Sequence, residues 1–273
     1  MASIMTAIML TPNLQGQIVS EKIGVELTPD ITWRIEDNTL YLSGNGVVPT
    51  TMFGAKSAWN DHRSRFNSVI IEDGITGLGQ NVFVGYKNIT SLTIAGTVRD
   101  LAPNSFNTCK NLSVVELKGA TPTDINSTVF YKLKFKKAKL VIPAGTKAIY
   151  ESDPFWSQFG KIEESNQLPT VPPAALTTLA EPCNIHLTRT ANFIGGGALI
   201  RVFLNGVEQE KIGNGQTIML QTDRVNNELY LQWGKKVLSI RRFEAITGSN
   251  IHIEYSNFLA YMKVIDEDEN DEE

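Results

Sequence analysis

The sequence is poor in the residues that would mark a disulfide framework or a membrane span. It contains two cysteines, Cys109 and Cys183, which fall in different predicted domains, so we expect two buried thiols. No run of about 18 or more apolar residues occurs, so we expect no membrane-spanning helix. The apolar stretch 2–10 follows no Lys or Arg and precedes no small-residue cleavage site. We interpret it as an ordered N-terminal segment, with an export signal as the alternative.

An excess of basic residues is also missing, which argues against a nucleic-acid-binding protein. The net charge is −4, and the acidic residues within 266–273 account for more than that, so the rest of the chain is near neutral. We interpret this tail as disordered and solvating, with weak binding of a basic partner or of divalent cations as the alternative. The one basic cluster, Lys132 to Lys139, alternates with apolar residues and predicts a strand with one solvated face.

Motifs that carry catalysis or bind cofactors are missing. Two of the three histidines lie at polar positions of alternating strands, where exposed side chains are expected; the three are His62, His186 and His252. Gly195-Gly196-Gly197 precedes a strand and lacks the Gly-Lys-Ser/Thr ending of a phosphate loop. The carboxylate pairs Glu36-Asp37 and Glu72-Asp73 fall in predicted turns, and no Gly-x-Ser-x-Gly elbow occurs. We therefore predict no enzyme, no cofactor and no metal site.

The strongest pattern is a repeat of 23 residues in the first half of the chain. Segments 66–71, 89–94 and 112–117 align with apolar residues at the same three places. These are Phe66, Ile89 and Leu112; Val69, Leu92 and Val115; and Ile71, Ile94 and Leu117. The later matches are Ile75 with Val98, Leu78 with Leu101, and Phe83 with Phe106 and Phe130. The period lies in the leucine-rich repeat range and predicts a solenoid whose units bury their apolar sides against one another.

The flanking segments predict a cap at each end of the solenoid. Residues 31–35 and 39–43 alternate around a polar loop and predict a hairpin, and Trp59 is a candidate plug before the first repeat. After the repeats, residues 139–143 predict a last strand, and Thr146 is a candidate cap for a short helix through Glu151. The aromatic residues expected to close the core at this end are Phe155, Trp156 and Phe159.

Short motifs within residues 25–163 resemble the BspA-type leucine-rich repeat family. They are Leu40–Gly46, Ser57–Trp59, Val69–Thr76, Asn104–Phe106 and Val141–Thr146. The resemblance implies a leucine-rich repeat fold. It also implies a place among surface or secreted proteins of gut and oral bacteria, some of which bind host proteins.

The second half of the chain changes to a period of two after a proline-rich segment. The prolines within 164–182 favour extended chain and predict a linker. Alternating runs then follow, with Asn205-Gly206 as a hairpin signal; the runs are 184–189, 200–204, 217–221, 228–232 and 250–255. They predict a small β-sandwich over 183–257. The remaining residues, 258–273, are an apolar run and the acidic tail; we expect the run to dock on the sandwich, with self-association as the alternative.

Part of this second domain resembles small bacterial β-sandwich domains of the PEGA-like type. The resemblance rests on Ile185–Arg189, Gly195–Gly197, Val202–Gly206 and Lys211–Gln216. It implies a fold and assigns no molecular role.

These patterns predict a mainly β protein, with a capped leucine-rich repeat domain at 1–163 followed by an all-β sandwich. They favour a non-catalytic scaffold that binds another protein or a ligand; an envelope structural protein and a carbohydrate-active enzyme are the alternatives. The partner and the oligomeric state stay open. The compartment also stays open, because the sequence without a clear export signal favours the cytoplasm and the family resemblance favours the cell surface.

If the repeats bind a partner, we expect the outward positions of their strands to do so. These positions are Ser68, Ile70 and Glu72; Ser91, Thr93 and Ala95; and Val114, Glu116 and Lys118. A solvated sheet face without a partner is the other interpretation, so the binding residues stay unassigned.

Overall fold

The structure, a computed structural model, describes residues 23–52, 54–165, 177–191, 197–256 and 261–265. The predictions for 2–10, for Gly195-Gly196 and for the tail 266–273 lie outside the described residues, as do those for much of the linker and of the apolar run. Within the described residues, no helix is both long and apolar enough to cross a membrane.

The chain divides into two compact units. The first lies within residues 1–123 and 130–172, and the second consists of 124–129 together with residues from 173 onward. The six residues 124–129 therefore interrupt the first unit in sequence and belong to the second. The mainly β fold predicted from the sequence, a repeat region plus a β domain, is confirmed.

The first unit is a solenoid of short strands. Its strands are β1 (Ile23–Thr28), β2 (Ile31–Glu36), β3 (Thr39–Gly44), β4 (Gly46–Val48), β5 (Ser68–Ile71), β6 (Ile75–Leu78), β7 (Ser91–Ile94), β8 (Asp100–Leu101), β9 (Val114–Leu117), β10 (Lys139–Pro143) and β11 (Lys161–Ser165). In the part of the chain described, eight of them form one sheet in the order β1-β2-β3-β5-β7-β9-β10-β11. A second sheet has the order β4-β6-β8.

The sheet confirms the 23-residue repeat residue by residue. In the parallel register, Val69 of β5 pairs with Leu92 of β7, and Leu92 pairs with Val115 of β9. All three side chains are fully buried, as are the matched columns on either side of them. A side chain at each inward position alternates with an outward one, because successive strand residues point to opposite faces.

Stacked aromatic rings lie buried in the core of the solenoid. The centroids of Phe83 and Phe106 are 5.0 Å apart, with ring planes only 8° from parallel. Phe130 continues the stack from Phe106 at 5.6 Å, and Trp59 extends it from Phe83 at 5.1 Å. The predicted aromatic core and the plug at Trp59 are both confirmed.

The caps are built largely as expected. Strands β2 and β3 form the predicted hairpin through Asp37 and Asn38, whose φ values of 46° and 61° are those of a type I′ turn. At the other end, strand β10 and helix α1 (Lys147–Ser152) precede three buried aromatic side chains, Phe155, Trp156 and Phe159. The described residues also include an unpredicted strand, β11, parallel to β10.

One sequence prediction in this cap is wrong and another is met in part. Residues 132–138 do not form a strand: Lys132 has a positive φ of 69°, and Phe135–Lys137 form a 3-10 helix. This places the Phe135 ring edge-on to the aromatic residues of the cap. Thr146 occupies the N-cap position of α1 as predicted, but its hydroxyl makes no cap hydrogen bond and donates to the Pro143 carbonyl. Glu164 accepts from the N–H groups of Gly145 and Lys147 instead.

The second unit is the predicted β-sandwich. Its strands are β12 (Thr178–Arg189), β13 (Ile200–Leu204), β14 (Val207–Ile212), β15 (Thr217–Arg224), β16 (Asn226–Trp233), β17 (Lys236–Glu244), β18 (Asn250–Ser256) and β19 (Tyr261–Ile265). Its described residues form two four-stranded sheets, ordered β15-β12-β18-β19 and β14-β13-β16-β17. Inward residues of both sheets share one core, for example Leu187, Ile253, Val202 and Leu231.

The hairpin turn of this unit and the two thiols of the chain follow the sequence predictions. Asn205 and Gly206 have φ values of 51° and 79° and join β13 to β14 as a type I′ hairpin. Cys183 lies buried in β12, and Cys109 lies buried in the first unit; neither forms a disulfide. Burial raises the pKa of the Cys109 thiol to about 12.

Candidate functional site

The outward side of the main repeat sheet carries one continuous row of side chains. Pairing from strand to strand places these residues next to one another in the order Arg34, Tyr41, Ile70, Thr93, Glu116, Val141 and Glu163. A second row runs beside it: Thr39, Ser68, Ser91, Val114, Lys139 and Lys161. We call these two rows the strand face. None of its residues is fully buried.

An ion-pair cluster fixes the end of the strand face nearest the N-terminal cap. Arg34 donates from Nη2 to Oε1 of Glu72 at 2.7 Å and from Nη1 to Oγ of Ser43 at 2.8 Å. Ser43 in turn donates to Glu72. The guanidinium of Arg34 also lies over the Tyr41 ring, 4.0 Å from its centroid. The hydrogen bond from Arg34 lowers the pKa of Glu72 and raises that of Arg34, so both groups carry charge at neutral pH.

The opposite end of the strand face carries a second set of charges. Nζ of Lys139 lies 3.0 Å from Oε2 of Glu163, and Lys161 also contacts Glu163. Hydrogen bonds from these two lysines lower the pKa of Glu163. Between the two charged ends, Thr93 donates to Glu116 at 3.1 Å.

The middle of the strand face is partly apolar. Ile70, Val114 and Val141 are half-buried there, beside small hydroxyl residues such as Ser68 and Ser91. A flat sheet of this kind offers area and fixed charges. It does not enclose a small molecule in the way that ligand pockets do.

Most of the outward residues expected from the repeat pattern lie where they were predicted. Ala95 is the exception, because it is buried. Sequence reasoning missed the contributions of the caps: Arg34 and Tyr41 at one end, and Val141 and Glu163 at the other. For Arg34 and Tyr41 the sequence does carry a signal, because both lie at outward positions of the alternating strands β2 and β3. It carries no such alternation for β11.

The other side chains singled out from the sequence are scattered, with one exception. His62 lies beside Trp33, with ring centroids 5.9 Å apart. Asp37 occupies the hairpin turn and Glu72 belongs to the Arg34 cluster. The exception is the pair His186 and His252, whose ring centroids are 4.8 Å apart. In the part of the chain described, no three His, Cys, Asp or Glu side chains come together as metal ligands would.

An open cavity of about 390 Å³ lies beside the turns that follow the strands of the first unit. Asn81 and Asn104, equivalent residues of successive repeats, line it, and both have a φ of 62°. Tyr86 also lines it and shares a hydrogen bond of 2.6 Å with Ser57. Asn81 donates to the Thr51 carbonyl, and Asn107 donates to Asn104, so these amides serve the turns themselves.

The match to a family model agrees with the repeat architecture. Residues 56–159 match the family model described as BspA type leucine rich repeat region (6 copies), which confirms the resemblance over that stretch. The solved structure of a leucine-rich repeat protein from Eubacterium ventriosum is similar at 20% identity, with a TM-score of 0.34. The likeness covers 53% of this chain and 41% of that protein, so the chain spans less than half of its length. No curated protein sequence matches the chain, and the PEGA-like resemblance stays a prediction.

Proposed function

We propose that the chain is a non-catalytic scaffold that binds another protein through the strand face of its BspA-like repeats. Repeat solenoids present extended surfaces of this kind, and their function is usually protein recognition. The observation that carries the proposal is the unbroken row from Arg34 to Glu163, which crosses seven hydrogen-bonded strands.

The dimensions of the strand face suit a protein partner. Seven strands at a spacing of about 4.8 Å give a row roughly 29 Å long. That length is comparable to the width of an ordinary interface, which buries about 800 Å² on each partner. The hydrogen-bonded ladders hold the backbone fixed, so that binding would cost little conformational entropy.

The charges of the strand face indicate the chemistry of the partner. Arg34 is held by Glu72 and Ser43, and Glu163 by two lysines, so both charged ends are ordered before any partner arrives. A folded protein with a small apolar patch, flanked by charges of both signs, would be complementary to this arrangement.

A charge placed in the apolar middle of the strand face tests this proposal. We expect the double variant Ile70→Arg and Val114→Arg to lose specific crosslinks that the unmodified chain forms in its native cell. It buries charge in the apolar middle of the interface, where neither position has a carboxylate as its partner on the neighbouring strands. The matched control is the double variant Val47→Arg and Val84→Arg, which adds the same two charges at exposed positions of the same unit, outside the strand face. The measurement is crosslinking followed by mass spectrometry, with thermal melting to establish that all three proteins fold.

Two outcomes would contradict the proposal. One is a set of crosslinked proteins that survives in the folded double variant. The other is equal loss in the control with Val47→Arg and Val84→Arg, which would mean that surface charge in general disturbs binding.

We also propose that binding takes place at the bacterial cell surface, where it could engage a host protein. The support is the family likeness of residues 56–159 and the resemblance that the repeat motifs carry. Protease treatment of intact source cells tests the location: a surface protein is degraded, while a chain that survives until the cells are lysed would contradict the proposal.

A further inference from the structure

Two histidines that are 66 residues apart in sequence become neighbours in the second unit. His186 of β12 and His252 of β18 are direct partners in a parallel register. Their imidazole rings are stacked, with centroids 4.8 Å apart and planes 9° from parallel. The residues on either side of them, Ile185, Leu187 and Ile253, point into the core. Both imidazoles therefore stand on the outward face of the sheet.

Hydrogen bonds on both sides hold the strands that carry the pair. One row away, Asn184 donates from Nδ2 to Oδ1 of Asn250 at 3.1 Å. Gln221 of β15 donates to Asn184 at 2.9 Å in the same row. In the row on the other side, the hydroxyls of Thr188 and Thr217 lie 2.8 Å apart. The backbone positions of the two histidines are thus fixed before any ligand binds.

The surroundings of the pair are accessible and weakly charged. Its neighbours in the same row are Met219 of β15, which is 60% exposed, and Ile265 of β19. Neither is a cation. In the next row, Glu254 follows on the strand of His252, paired with Lys263. Among the described residues of these rows, a positive ion above the histidines therefore meets no unbalanced row of like charge.

We propose that His186 and His252 together bind a divalent first-row transition-metal ion, with one ring nitrogen of each as ligand. Imidazole is a preferred ligand of such ions, and for a given site the affinity rises toward Cu²⁺. A metal–nitrogen bond of about 2.0–2.1 Å requires the two nitrogens to lie within roughly 4.2 Å of each other. The rings, with centroids 4.8 Å apart, are close enough for this, and each would have to turn out of the parallel stack so that its nitrogen lone pair points at the shared ion.

The site has two protein ligands and leaves the other positions to water or to a donor from outside. This agrees with the lack of a three-residue cluster among the described residues. Such a site is open and exchangeable, in contrast to a closed structural zinc site with four protein ligands. It belongs to the second unit and does not depend on the strand face.

Calorimetric titration with the chlorides of Cu²⁺, Ni²⁺ and Zn²⁺ tests the proposal on the full chain. We expect one site per chain, tightest for Cu²⁺, and a loss of at least about tenfold in affinity in His186→Asn and in His252→Asn. His62→Asn is the matched control and should bind as the unmodified chain does, since the sequence contains only these three histidines. The acidic residues at the end of the chain are present in every variant, so a difference between variants isolates the histidines.

A second measurement identifies the ligand atoms directly, so that the test does not rest on affinity alone. The paramagnetic resonance spectrum of bound Cu²⁺ should show two coupled nitrogens in the unmodified chain and fewer in each single variant. Thermal melting establishes that the variants fold. Equal binding by all four proteins, no binding by the unmodified chain, or an equal loss in His62→Asn would each overturn the proposal.

Discussion

Single asparagine side chains connect successive repeats of the solenoid. Nδ2 of Asn88 donates to the carbonyl oxygens of Arg63 and Phe66, at 2.7 and 2.6 Å. Asn111 takes the equivalent place one repeat later and donates to the Lys87 carbonyl at 2.8 Å. These bonds satisfy carbonyls in the turn before each strand, where no ladder partner is available. The sequence shows that the two asparagines are equivalent, but it does not show which groups accept.

The Glu72 carboxylate makes the stability of the first unit depend on pH. Because the hydrogen bond from Arg34 lowers its pKa below the ordinary value of 4.5, the unfolded state binds more protons on acidification than the folded state does. The stabilisation by Glu72 is therefore complete above the unfolded pKa and is lost as the pH falls through the folded one. We expect Glu72→Gln to be less stable at pH 7, and the difference to shrink below about pH 4.5. Urea unfolding across this pH range measures it.

The control for this prediction is Glu151→Gln. Glu151 pairs with Lys147 on the surface of α1, where both side chains are about half exposed. Exposed pairs contribute little, so this variant should follow the unmodified chain at every pH. A difference for Glu72→Gln that stays constant down to pH 3 would contradict the role given to the carboxylate.

Tight turns set the pairing of neighbouring strands in both units. The turn at Asn205 and Gly206 requires positive φ at both residues, which glycine adopts without strain. A Cβ on Gly206 would meet no atom within 4 Å, so a substitution there tests conformation alone. We expect Gly206→Ala to lower the free energy of unfolding by about 1 kcal/mol, measured by chemical denaturation.

Gly197→Ala is the matched control for the turn. A Cβ at Gly197 would also meet nothing within 4 Å, and its φ is outside the positive range. The alanine there should be neutral or slightly stabilising, because it restricts the unfolded chain. Equal destabilisation by the two variants would show that the left-handed turn is not the cause.

Elements were predictable from the sequence where burial alternates along a strand. Strand β16, with Leu229 and Leu231 buried between half-exposed residues, carries this pattern clearly. Strand β14 does not, because only Ile212 of its six residues is buried. Strand β11 at the edge of the repeat sheet has no fully buried residue. The strand predicted for the lysine run, Lys132 to Lys139, was wrong for the opposite reason. The run alternates between polar and apolar residues, but Phe135 lies in a 3-10 helix and its ring packs among the aromatic residues of the cap.

The candidate site was predictable only in part. The repeat pattern identifies Ile70, Thr93 and Glu116 as outward, because each lies between two buried neighbours. The pairing of Arg34 with Glu72, 38 positions away, depends on the hairpin register of β2 with β3 and on the parallel register of β3 with β5. The meeting of His186 with His252 likewise depends on a parallel register between distant strands. Sequence periodicity predicts the face of the strand on which a side chain lies. It does not predict which residues of neighbouring strands that side chain contacts.

At the scale of the whole molecule, the order of the chain does not follow the division into two units. Residues 124–129 interrupt the first unit in sequence and belong to the second. Within the second unit, Asn126 forms a bridge with Ser239 of β17, and Ile240 donates from its N–H to the Ile125 carbonyl. Asp124 is almost fully buried and accepts from the Arg242 N–H at 2.7 Å and from its guanidinium at 3.1 Å. The segment 124–129 therefore adds to the edge of a sheet whose own strands begin much later in the chain. No periodicity in the sequence predicts that residues 124–129 pair with this sheet.

Removing the Asp124 carboxylate should weaken the second unit. We expect Asp124→Ala to cost about 3 kcal/mol, because it takes away a buried charge partner of Arg242 and the acceptor of a backbone N–H. Hydrogen exchange of the β17 amides, Ile240 among them, measures the effect and should accelerate.

Glu208→Ala serves as the comparison for this loss. It breaks the ion pair with Arg201, whose two side chains are far more exposed than that of Asp124. We expect a much smaller change in stability and no effect on exchange in β17. Comparable losses in the two variants would show that the segment 124–129 does not support the sheet edge.

The placement of 124–129 also bears on how the protein is made. During synthesis, Asp124 leaves the ribosome before its partner Arg242, which lies 118 residues later in the chain. Pairing across such a separation is entropically costly and slow, so the sandwich is completed last. A translation product that ends between the two units would leave the peptide groups of this segment without their edge strand, and bare strand edges of this kind are where nascent chains aggregate.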